Sequence, residues 1–596
     1  MTGYRVFINS VGTGFRADKK AFLLTILTTI IVSSWSFITM ASFAEIINIV
    51  ADSIATGVLD SKRLIITIVI LIFANLIPNL TDHYDQYMGE KLFKRIDLYM
   101  LRKWINKISS LDLGTIEGKT FQDLNQKVSD RGTSSVSSLN SWFFRNFSDL
   151  MRLIAAAAIF LTFDYRLAVL AILSVLPSYF IEKEAAKNIF YLWNKEIDNR
   201  KHRKAKLGHF LSPMNLTELK LIGKTTFYAK KLFGYQEEFD GETNAINYKT
   251  FKYKLVGEVI HVICFVLSII LLVKLAIGGE LEIGTMLFVY TSFQTFQYSS
   301  ASIFRSLGRV REHINFAKEY FVLLGTVPIF SEDDGTPFAK QDSVEITFQN
   351  VSFKYPETDK FVLKKINFKI SPNERIAIVG ENGASKTTLI KLLSKMYTPT
   401  EGKILINGKD LSEIKALDWQ KSISFMTQDF ATYTDSIKDQ ISYGSSGDPS
   451  SVSLAQVEEA AKKAHAIEFI NDLPKKFDQT LGRQFKGGVE LSRGQKQKVA
   501  LARFLLRDSK LLILDEPTAA IDALAESRIF NQLFEEERNR TIMIISHRFN
   551  TVKRADRIIV LEKGSILEIG THEELTAKKG KYNEMYDAQA KEYQEQ

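Results

Sequence analysis

The chain has 596 residues, of which 45% are hydrophobic and 24% are charged, and this length exceeds that of one ordinary domain. Its single cysteine, Cys264, excludes a framework of disulfides within the chain. The formal net charge of +9 is compatible with nucleic-acid binding, but the positions of the basic residues decide what this charge means.

Six apolar runs in the first half of the chain predict membrane-spanning helices. The first and the last carry no charge over 24 and 22 positions, long enough to cross a hydrocarbon core of about 30 Å. The first run is too long, and lacks the small-residue cleavage site, for a removable signal peptide. We therefore expect a short N-terminal segment, residues 1–20, and an all-α, six-helix transmembrane domain over residues 21–320. The six runs are 21–44, 64–81, 153–163, 167–181, 259–273 and 283–304.

The basic residues between these runs predict the orientation of the chain in the membrane. Residues 82–140 carry nine Lys and Arg and residues 183–254 carry fifteen, whereas 164–166 carries one and 277–283 none. Because basic loops stay on the cytoplasmic side, both termini and the two long loops are expected there, in the plasma membrane. Topology thus accounts for the net charge, and we predict no nucleic-acid partner.

The two basic loops are too long for simple turns and read as polar helical sequence. We expect the membrane helices to continue through them and to turn around at two tips, residues 114–124 and 215–226. Such tips are suited to docking on a soluble domain.

Ionisable and polar residues within membrane spans are candidate functional groups. Glu45 and Asn48 are interpreted as lying beyond the bilayer, at the end of a long helix. For Glu258 and His261, a substrate site and a structural role both remain open.

The last span contains aromatic residues and glutamines at helical spacing. Tyr290, Gln294 and Gln297 share one helix face. An aromatic stripe usually serves packing, but two glutamines facing lipid would be costly, so this face is predicted to line a wet pathway.

After a linker at residues 321–343, the sequence GENGASKTT at 380–388 follows a predicted buried strand and opens a predicted helix. This context makes the match to a phosphate-binding loop credible. Backbone N–H groups would hold phosphates, Lys386 would reach the β- and γ-phosphates, and Thr387 would ligate Mg²⁺. The predicted ATP-binding loop comprises Gly380, Glu381, Asn382, Gly383, Ala384, Ser385, Lys386, Thr387 and Thr388.

The second part of the predicted chemistry is LLILDEPTAAID, residues 511–522. An apolar strand ending in Asp515 would place a carboxylate beside Mg²⁺. Glu516 could then polarise the attacking water as a general base.

Between these motifs, LSRGQ at 491–495 is similar to the LSGGQ signature of ATP-binding cassette (ABC) proteins. Gln428 matches the family's Q-loop and would contribute to catalysis and to Mg²⁺ binding. His547 matches the switch histidine, Tyr355 the aromatic residue that stacks on adenine, and Asp522 the D-loop aspartate. The resemblance implies a type IV, exporter-type half transporter with a P-loop α/β ABC ATPase domain over residues 344–596.

The signature also implies a dimer, in which one chain's signature closes on the ATP bound by its partner. The residues involved would be Ser492, Arg493, Gly494 and Gln495. A second half transporter is therefore the expected partner, together with the lipid membrane, and a homodimer is favoured slightly over a heterodimer.

Three positions depart from the family pattern. Ser385 replaces a glycine, which costs about 1–2 kcal/mol if the backbone there has a positive φ, and little otherwise. Arg493 replaces the first signature glycine, and Ala519 stands where the D-loop has serine. Every residue needed for hydrolysis is nevertheless present, so the loop is predicted to be functional.

The leading hypothesis is an ATP-hydrolysis-driven exporter of an amphipathic peptide, lipid or drug-like molecule that works by alternating access. One alternative is an ATP-gated sensor or channel with little turnover, which only Ser385 and Arg493 support. Another is an importer of metal chelates built on the exporter fold. With about twenty residues before the first span, no N-terminal peptidase domain is expected, and the Lys-rich, cysteine-poor composition favours a bacterial protein.

Overall fold

The computed structural model describes residues 1–195, 197–331, 334–339, 341–356, 358–517, 523–536, 539–546 and 548–594. Its contacts divide the chain into two compact units. The first comprises Met1–Lys107 and Asp123–Thr326, and the second comprises Ile108–Gln122 and Val327–Gln596.

The first half of the chain is helical throughout, as its sequence predicts. A single π-helical turn, Val128–Gly132, interrupts the α-helices. The helices are α1 Gly3–Ala17, α2 Lys19–Thr56, α3 Ser61–Ser109, α4 Leu113–Glu117, α5 Lys119–Lys127, α6 Thr133–Phe163, α7 Tyr165–Lys195, α8 Ile197–Leu211, α9 Pro213–Leu221, α10 Thr225–Ile277 and α11 Ile283–Leu324.

Among the described residues, five helices are long and apolar enough to cross a membrane, so the chain is a multi-pass membrane protein. The sixth predicted span lies in α11, which is 42 residues long but is not among these five. The five are Lys19–Thr56, Ser61–Ser109, Lys119–Phe163, Tyr165–Ile189 and Thr225–Ile277.

Several helices extend far beyond their apolar runs, as expected for the long loops. α3 has 49 residues and α10 has 53. The chain turns between α6 and α7 at Asp164, between the third and the fourth predicted spans. The N-terminal segment forms the helix α1, and α11 continues to Leu324, into the predicted linker.

The core of the first unit is an aromatic and aliphatic cluster shared by α2, α6, α7, α10 and α11. Phe160 packs against Phe293 and Phe296, with ring centroids 5.9 and 5.8 Å apart. Large apolar side chains also remain on the surface, among them Ile65, 61% exposed, and Val259, 59% exposed. An exposed apolar surface on long helices is what a lipid environment requires.

Glu45 and Asn48 have structural partners near one end of α2. Arg63 Nη2 lies 2.7 Å from a carboxylate oxygen of Glu45. Asn48 is buried, and its Oδ1 accepts a hydrogen bond of 2.6 Å from the backbone N–H of Gly284 in the first turn of α11. Asn48 therefore satisfies a helix-terminal N–H that has no partner within its own helix.

The second unit contains two sheets. The four-stranded sheet has the order β2-β1-β4-β5 and is antiparallel. The six-stranded sheet has the order β10-β9-β3-β8-β7-β6, and all its pairs are parallel except β10 with β9. The strands are β1 Ile346–Phe353, β2 Leu363–Ile370, β3 Arg375–Val379, β4 Glu401–Ile406, β5 Lys409–Asp410, β6 Ile423–Met426, β7 Leu511–Asp515, β8 Thr541–Ile545, β9 Arg557–Glu562 and β10 Ser565–Gly570.

Helices cover these sheets and enclose two main apolar cores, one of which contains the fully buried Trp419 and the other Val499 of α17. Short 3₁₀ turns lie at Leu411–Glu413, Pro449–Ser451 and Lys476–Asp478. The helices are α12 Lys386–Leu393, α13 Ala416–Ser422, α14 Ile437–Ser442, α15 Leu454–Lys463, α16 Ile467–Asn471, α17 Arg493–Leu506, α18 Ala523–Glu536, α19 Phe549–Val552, α20 His572–Lys578 and α21 Lys581–Gln594.

The segment Ile108–Gln122 is part of the second unit, although the helices before and after it in sequence belong to the first. Asp112 is fully buried, caps α4 through the Thr115 N–H, and accepts a hydrogen bond of 2.7 Å from Ile329 N–H. Glu117 accepts a hydrogen bond of 3.0 Å from Lys391 Nζ and another from the Tyr397 hydroxyl. The predicted tip at 114–124 is thus largely incorporated into the second unit.

Candidate active site

Four segments singled out in the sequence follow four adjacent parallel strands. The phosphate-binding loop follows β3, His547 comes after β8, Asp515 ends β7, and Gln428 comes after β6. The carboxyl ends of parallel strands lie at the same edge of a sheet, where α/β proteins bind their ligands. The topology thus gathers the phosphate-binding loop, Asp515 and Gln428 at one edge.

The loop between β3 and α12 has the backbone geometry of a tight anion-binding turn. Gly380 has φ +153°, and a Cβ there would lie 2.2 Å from the carbonyl oxygen of Leu561, so only glycine fits. Gly383 has φ +84°, again a conformation that favours glycine. The first turn of α12 directs unpaired N–H groups at the same place.

Ser385 adopts the left-handed conformation, with φ +72° and ψ +28°, immediately before α12. Its side chain makes no capping hydrogen bond to the helix. Of the two alternatives set out from the sequence, the costly one applies, because a residue with a Cβ pays about 1–2 kcal/mol for this conformation. The loop nevertheless keeps its turn into α12.

Lys386 is buried within the loop. Its Nζ donates hydrogen bonds of 2.7 Å to Gly380 O and 3.2 Å to Glu381 O. Burial lowers the pKa of Lys386, while the nearby carboxylates of Glu516 and Asp515 act in the opposite direction. A partly desolvated ammonium held over the loop is well placed to attract a triphosphate.

Asp515 and Thr387 form an oxygen-rich pair across the loop. The Thr387 hydroxyl donates a hydrogen bond of 3.0 Å to Asp515 Oδ2, and Asp515 is only 2% exposed. Burial raises the pKa of Asp515, although the hydrogen bond from Thr387 lowers it. A buried carboxylate beside a hydroxyl suits Mg²⁺, which prefers hard oxygen ligands and whose charge would offset the desolvation of Asp515. These residues therefore fit the ion that the family implies.

Glu516 and Gln428 are in direct contact. Gln428 Nε2 donates a hydrogen bond of 2.9 Å to Glu516 Oε2. The backbone N–H of Glu516 donates one of 3.0 Å to Ile545 O at the end of β8, and its φ is +48°. The strained backbone and these two contacts fix the predicted general base beside the buried Asp515.

Tyr355 lies beside the loop helix. Its hydroxyl is 2.9 Å from the hydroxyl of Thr388, and its ring packs edge-on against Tyr397, with centroids 5.4 Å apart. Lys391 Nζ lies over both rings, 5.9 Å from that of Tyr355 and 5.7 Å from that of Tyr397. Stacking of Tyr355 on adenine stays a prediction.

The signature residues form the N-terminus of α17. Ser492 is the N-cap and makes a reciprocal capping box with Gln495, with hydrogen bonds of 3.2 and 2.9 Å. Arg493 is exposed, and Gly494 is half-buried in the first turn. The switch residue His547, the D-loop Asp522 and the substituted Ala519 lie outside the described residues.

The candidate pathway residues have different environments. Gln297 is buried, and its Nε2 donates a hydrogen bond of 3.2 Å to Ser174 Oγ on α7. Gln294 Nε2 donates one of 2.9 Å to the hydroxyl of Tyr290 on its own helix. On α10, Glu258 is exposed and His261 is half-buried. That these two residues, together with Tyr290, Gln294 and Gln297, line a pathway stays a prediction.

The sequence reasoning missed the residues that connect this site to Ile108–Gln122. Tyr397, beside Tyr355, donates to Glu117, and Lys391 contacts all three of these side chains. No local motif identifies them, because Tyr397 and Glu117 are 280 residues apart in sequence.

Comparison with known proteins identifies the second unit. Residues 363–519 match the family model described as ABC transporter. The chain is 42% identical over 244 residues, 41% of its length, to the ATP-dependent lipid A-core flippase of Alkalilimnicola ehrlichii, and the match covers 40% of that protein. The flippase of Nitrosococcus oceani is 33% identical over 62% of this chain and 61% of its own length. The chain thus spans between about two fifths and three fifths of these flippases.

Two other similarities cover nearly the whole chain. The subtilin transport ATP-binding protein SpaT of Bacillus subtilis is 27% identical over 94% of this chain and 90% of its own length. A solved bacterial Atm1-family ABC exporter with ATP bound superposes with a TM-score of 0.81 at 24% identity, covering 96% of this chain and 98% of the exporter chain. The chain therefore has the fold of that exporter chain, in which a helical membrane domain is followed in one polypeptide by an ABC ATPase domain.

Proposed function

We propose that this protein is an ATP-hydrolysing exporter that works as a dimer of half transporters. The observation that carries the proposal is the set of contacts among Thr387, Asp515, Glu516 and Gln428. These side chains are positioned as in a site that binds a metal-complexed triphosphate and activates a water molecule.

In the proposed reaction, the N–H groups of residues 381–387 and the Lys386 ammonium hold the triphosphate. Glu516 orients the attacking water and accepts its proton, while Gln428 and His547 orient the reacting groups. Thr387 and Asp515, with the amide oxygen of Gln428, would hold Mg²⁺, which neutralises charge on the phosphates when bound.

The dimer is proposed from two exposed features. The first is the signature turn, whose Ser492 and Gly494 would meet the γ-phosphate of ATP bound to the partner. The second is the tip at Pro213–Leu221, where no residue is buried and Met214 and Leu221 are 79% and 82% exposed. Apolar side chains exposed to this extent at a helix tip suit a contact with the partner's ATPase domain. An intact catalytic base favours a homodimer slightly.

We infer that transport is outward, across the plasma membrane, with both termini cytoplasmic. SpaT, which resembles almost the whole chain, is a subtilin transport protein, and the relatives from Alkalilimnicola ehrlichii and Nitrosococcus oceani are lipid A-core flippases. An amphipathic peptide or a lipid is therefore the proposed substrate class, in agreement with the mixed aromatic and amide surface of Tyr290 and Gln294.

A second candidate, ATP-gated opening with little turnover, is favoured by the strained Ser385 and by Arg493 in the signature. The measurement that separates the two is steady-state ATP hydrolysis by the purified chain in lipid nanodiscs, beside Glu516→Gln. We expect clear hydrolysis that falls at least about 100-fold in the variant, because general-base catalysis contributes 10²–10⁴-fold. Binding of a fluorescent ATP analogue should persist, which shows that the variant is folded.

Two results would count against the proposal. Hydrolysis that is undiminished in Glu516→Gln would show that another group is the base. Near-background hydrolysis with ATP bound, not raised by Ser385→Gly or by co-purification of a partner chain, would favour the gated channel or sensor.

A further inference from the structure

The C-terminal helix α21 contacts two separate segments of the ATP site. Lys581 Nζ lies 2.8 Å from Glu381 Oε1 in the phosphate-binding loop. Eight residues further on, Gln589 Oε1 accepts a hydrogen bond of 2.9 Å from the backbone N–H of Phe549. Phe549 is two residues beyond His547 in sequence. One helix therefore contacts both the loop that would bind ATP and the segment that follows the predicted switch residue.

The helix is fixed to the sheet by a buried aromatic cluster. Tyr582 is fully buried and packs edge-on against Phe549, with ring centroids 5.4 Å apart, and Tyr586 packs against Phe549 at 5.7 Å. The same core contains Ala377 and Val379 of β3, the strand that leads into the loop. Because this aromatic core is closely packed, it fixes the backbone of α21, from which the side chains of Lys581 and Gln589 project.

We propose that Lys581 and Gln589 are positioning residues for ATP hydrolysis, Lys581 acting on nucleotide binding and Gln589 on the switch segment. This inference rests on the proposed ATPase function. Neither residue belongs to a motif of the sequence.

Lys581 acts through Glu381. The Glu381 carboxylate is in a loop whose N–H groups would bind anions, and its uncompensated negative charge would repel a triphosphate. The Lys581 ammonium, which also lies 3.4 Å from Glu584 Oε2 on α21, offsets this charge in part. Because the side chain of Glu381 is 64% exposed and that of Lys581 26%, water and salt weaken the effect.

Gln589 acts through the backbone. Its amide oxygen accepts from the N–H of Phe549 at the first position of α19, one of the helix-terminal N–H groups that lack partners within the helix. This hydrogen bond fixes where the chain enters α19, two residues after His547 in sequence.

The test measures binding and turnover separately, with the full chain in lipid nanodiscs. A fluorescent ATP analogue gives Kd, and steady-state hydrolysis gives kcat and KM. Lys581→Ala should raise Kd and KM about threefold at physiological salt and more at low salt, with kcat unchanged. Adding Glu381→Gln to Lys581→Ala should restore Kd, because the repelling charge is then gone.

Gln589→Ala should lower kcat about tenfold with Kd unchanged, because a misplaced reacting group slows turnover without weakening binding. Gln589→Glu keeps an acceptor for the Phe549 N–H and should restore kcat. Lys578→Ala, which removes an exposed positive charge from the neighbouring α20, serves as the matched control and should change neither quantity.

A change in Kd alone for Lys581→Ala and a change in kcat alone for Gln589→Ala would exclude a merely structural role of these residues. If Lys581→Ala and Gln589→Ala both lower Tm and impair binding and turnover together, without rescue, the inference is overturned. It is also overturned if both behave like Lys578→Ala. Absence of hydrolysis by the wild-type chain would contradict the proposed function instead, and the Kd of Lys581→Ala, with its rescue by Glu381→Gln, would still decide the role of Lys581.

Discussion

Replacing Ser385 with glycine should stabilise the protein. With φ +72° and ψ +28°, Ser385 is in a region that costs a residue with a Cβ about 1–2 kcal/mol, and no capping hydrogen bond offsets this cost. Glycine relieves the strain but loses about 0.5–1 kcal/mol more backbone entropy on folding. The net gain in the free energy of unfolding is therefore about 0.75 kcal/mol, the middle of a range of about 0 to 1.5 kcal/mol, or about 2 °C in the Tm of the ATPase unit.

Thermal unfolding of the full chain in nanodiscs, at one fixed scan rate, would measure this gain. Ser385→Ala is the matched control, because alanine loses the hydroxyl but keeps the Cβ and hence the strain. We expect a higher Tm for Ser385→Gly only. An equal rise in Ser385→Ala would trace the cost to the hydroxyl, and a fall in Ser385→Gly would refute the strain argument. The KM for ATP should stay within about twofold of the wild type, because the N–H groups of the loop are unchanged.

Two further predictions concern the second unit. Burial raises the pKa of Asp515, so the ionised carboxylate destabilises the folded state at every pH above the pKa that Asp515 has in the unfolded chain. Asp515→Asn should therefore raise the Tm of the nucleotide-free chain at pH 7, and it should abolish hydrolysis. The rise in Tm should vanish as the pH falls through the raised pKa towards about 4. A rise in Tm that does not change with pH would show that the charge of the buried carboxylate is not its cause. Glu117→Ala removes the acceptor of Lys391 and Tyr397 and should speed amide hydrogen exchange across Ile108–Gln122 about tenfold, measured by mass spectrometry. Lys119→Ala, at an exposed neighbour, should leave exchange unchanged, and equal acceleration in both variants would argue against a specific role of Glu117.

The sequence predicted the membrane helices and, around the ATP site, the elements β3, α12 and β7, but not the full length of the helices. Hydropathy indicated only residues 153–163 for the third span, whereas α6 begins at Thr133. Polar side chains interrupt the apolar pattern, but they do not end the helix, because its backbone hydrogen bonds are internal and the polar groups find partners. Asn146 Oδ1, for example, accepts a hydrogen bond of 2.9 Å from the Ser306 hydroxyl on α11. Such cross-helix pairs depend on packing that one sequence does not reveal.

At the ATP site, motifs predicted the residues that lie on one short stretch of strand, loop and helix, because local sequence determines how such a stretch folds. The strand–loop–helix around Lys386 and the carboxylates after β7 depend on short stretches with strong signals. The backbone angle of Ser385 could be stated only as two alternatives, since φ is set by how β3 and α12 are joined. The contacts of Glu117 with Tyr397 and of Lys581 with Glu381 join residues 280 and 200 positions apart, which no local pattern encodes.

The membership of Ile108–Gln122 in the second unit bears on how such proteins can recombine. The unit is assembled from two stretches separated by about two hundred residues of membrane helices. A chimaera with a foreign ATPase region joined at Val327 would keep its own Asp112 and Glu117 but lose Ile329, Lys391 and Tyr397, the residues they bind. Ile108–Gln122 and Val327–Gln596 therefore form one structural unit, and we expect an exchange of ATPase domains between relatives to preserve these contacts only if both stretches are exchanged together.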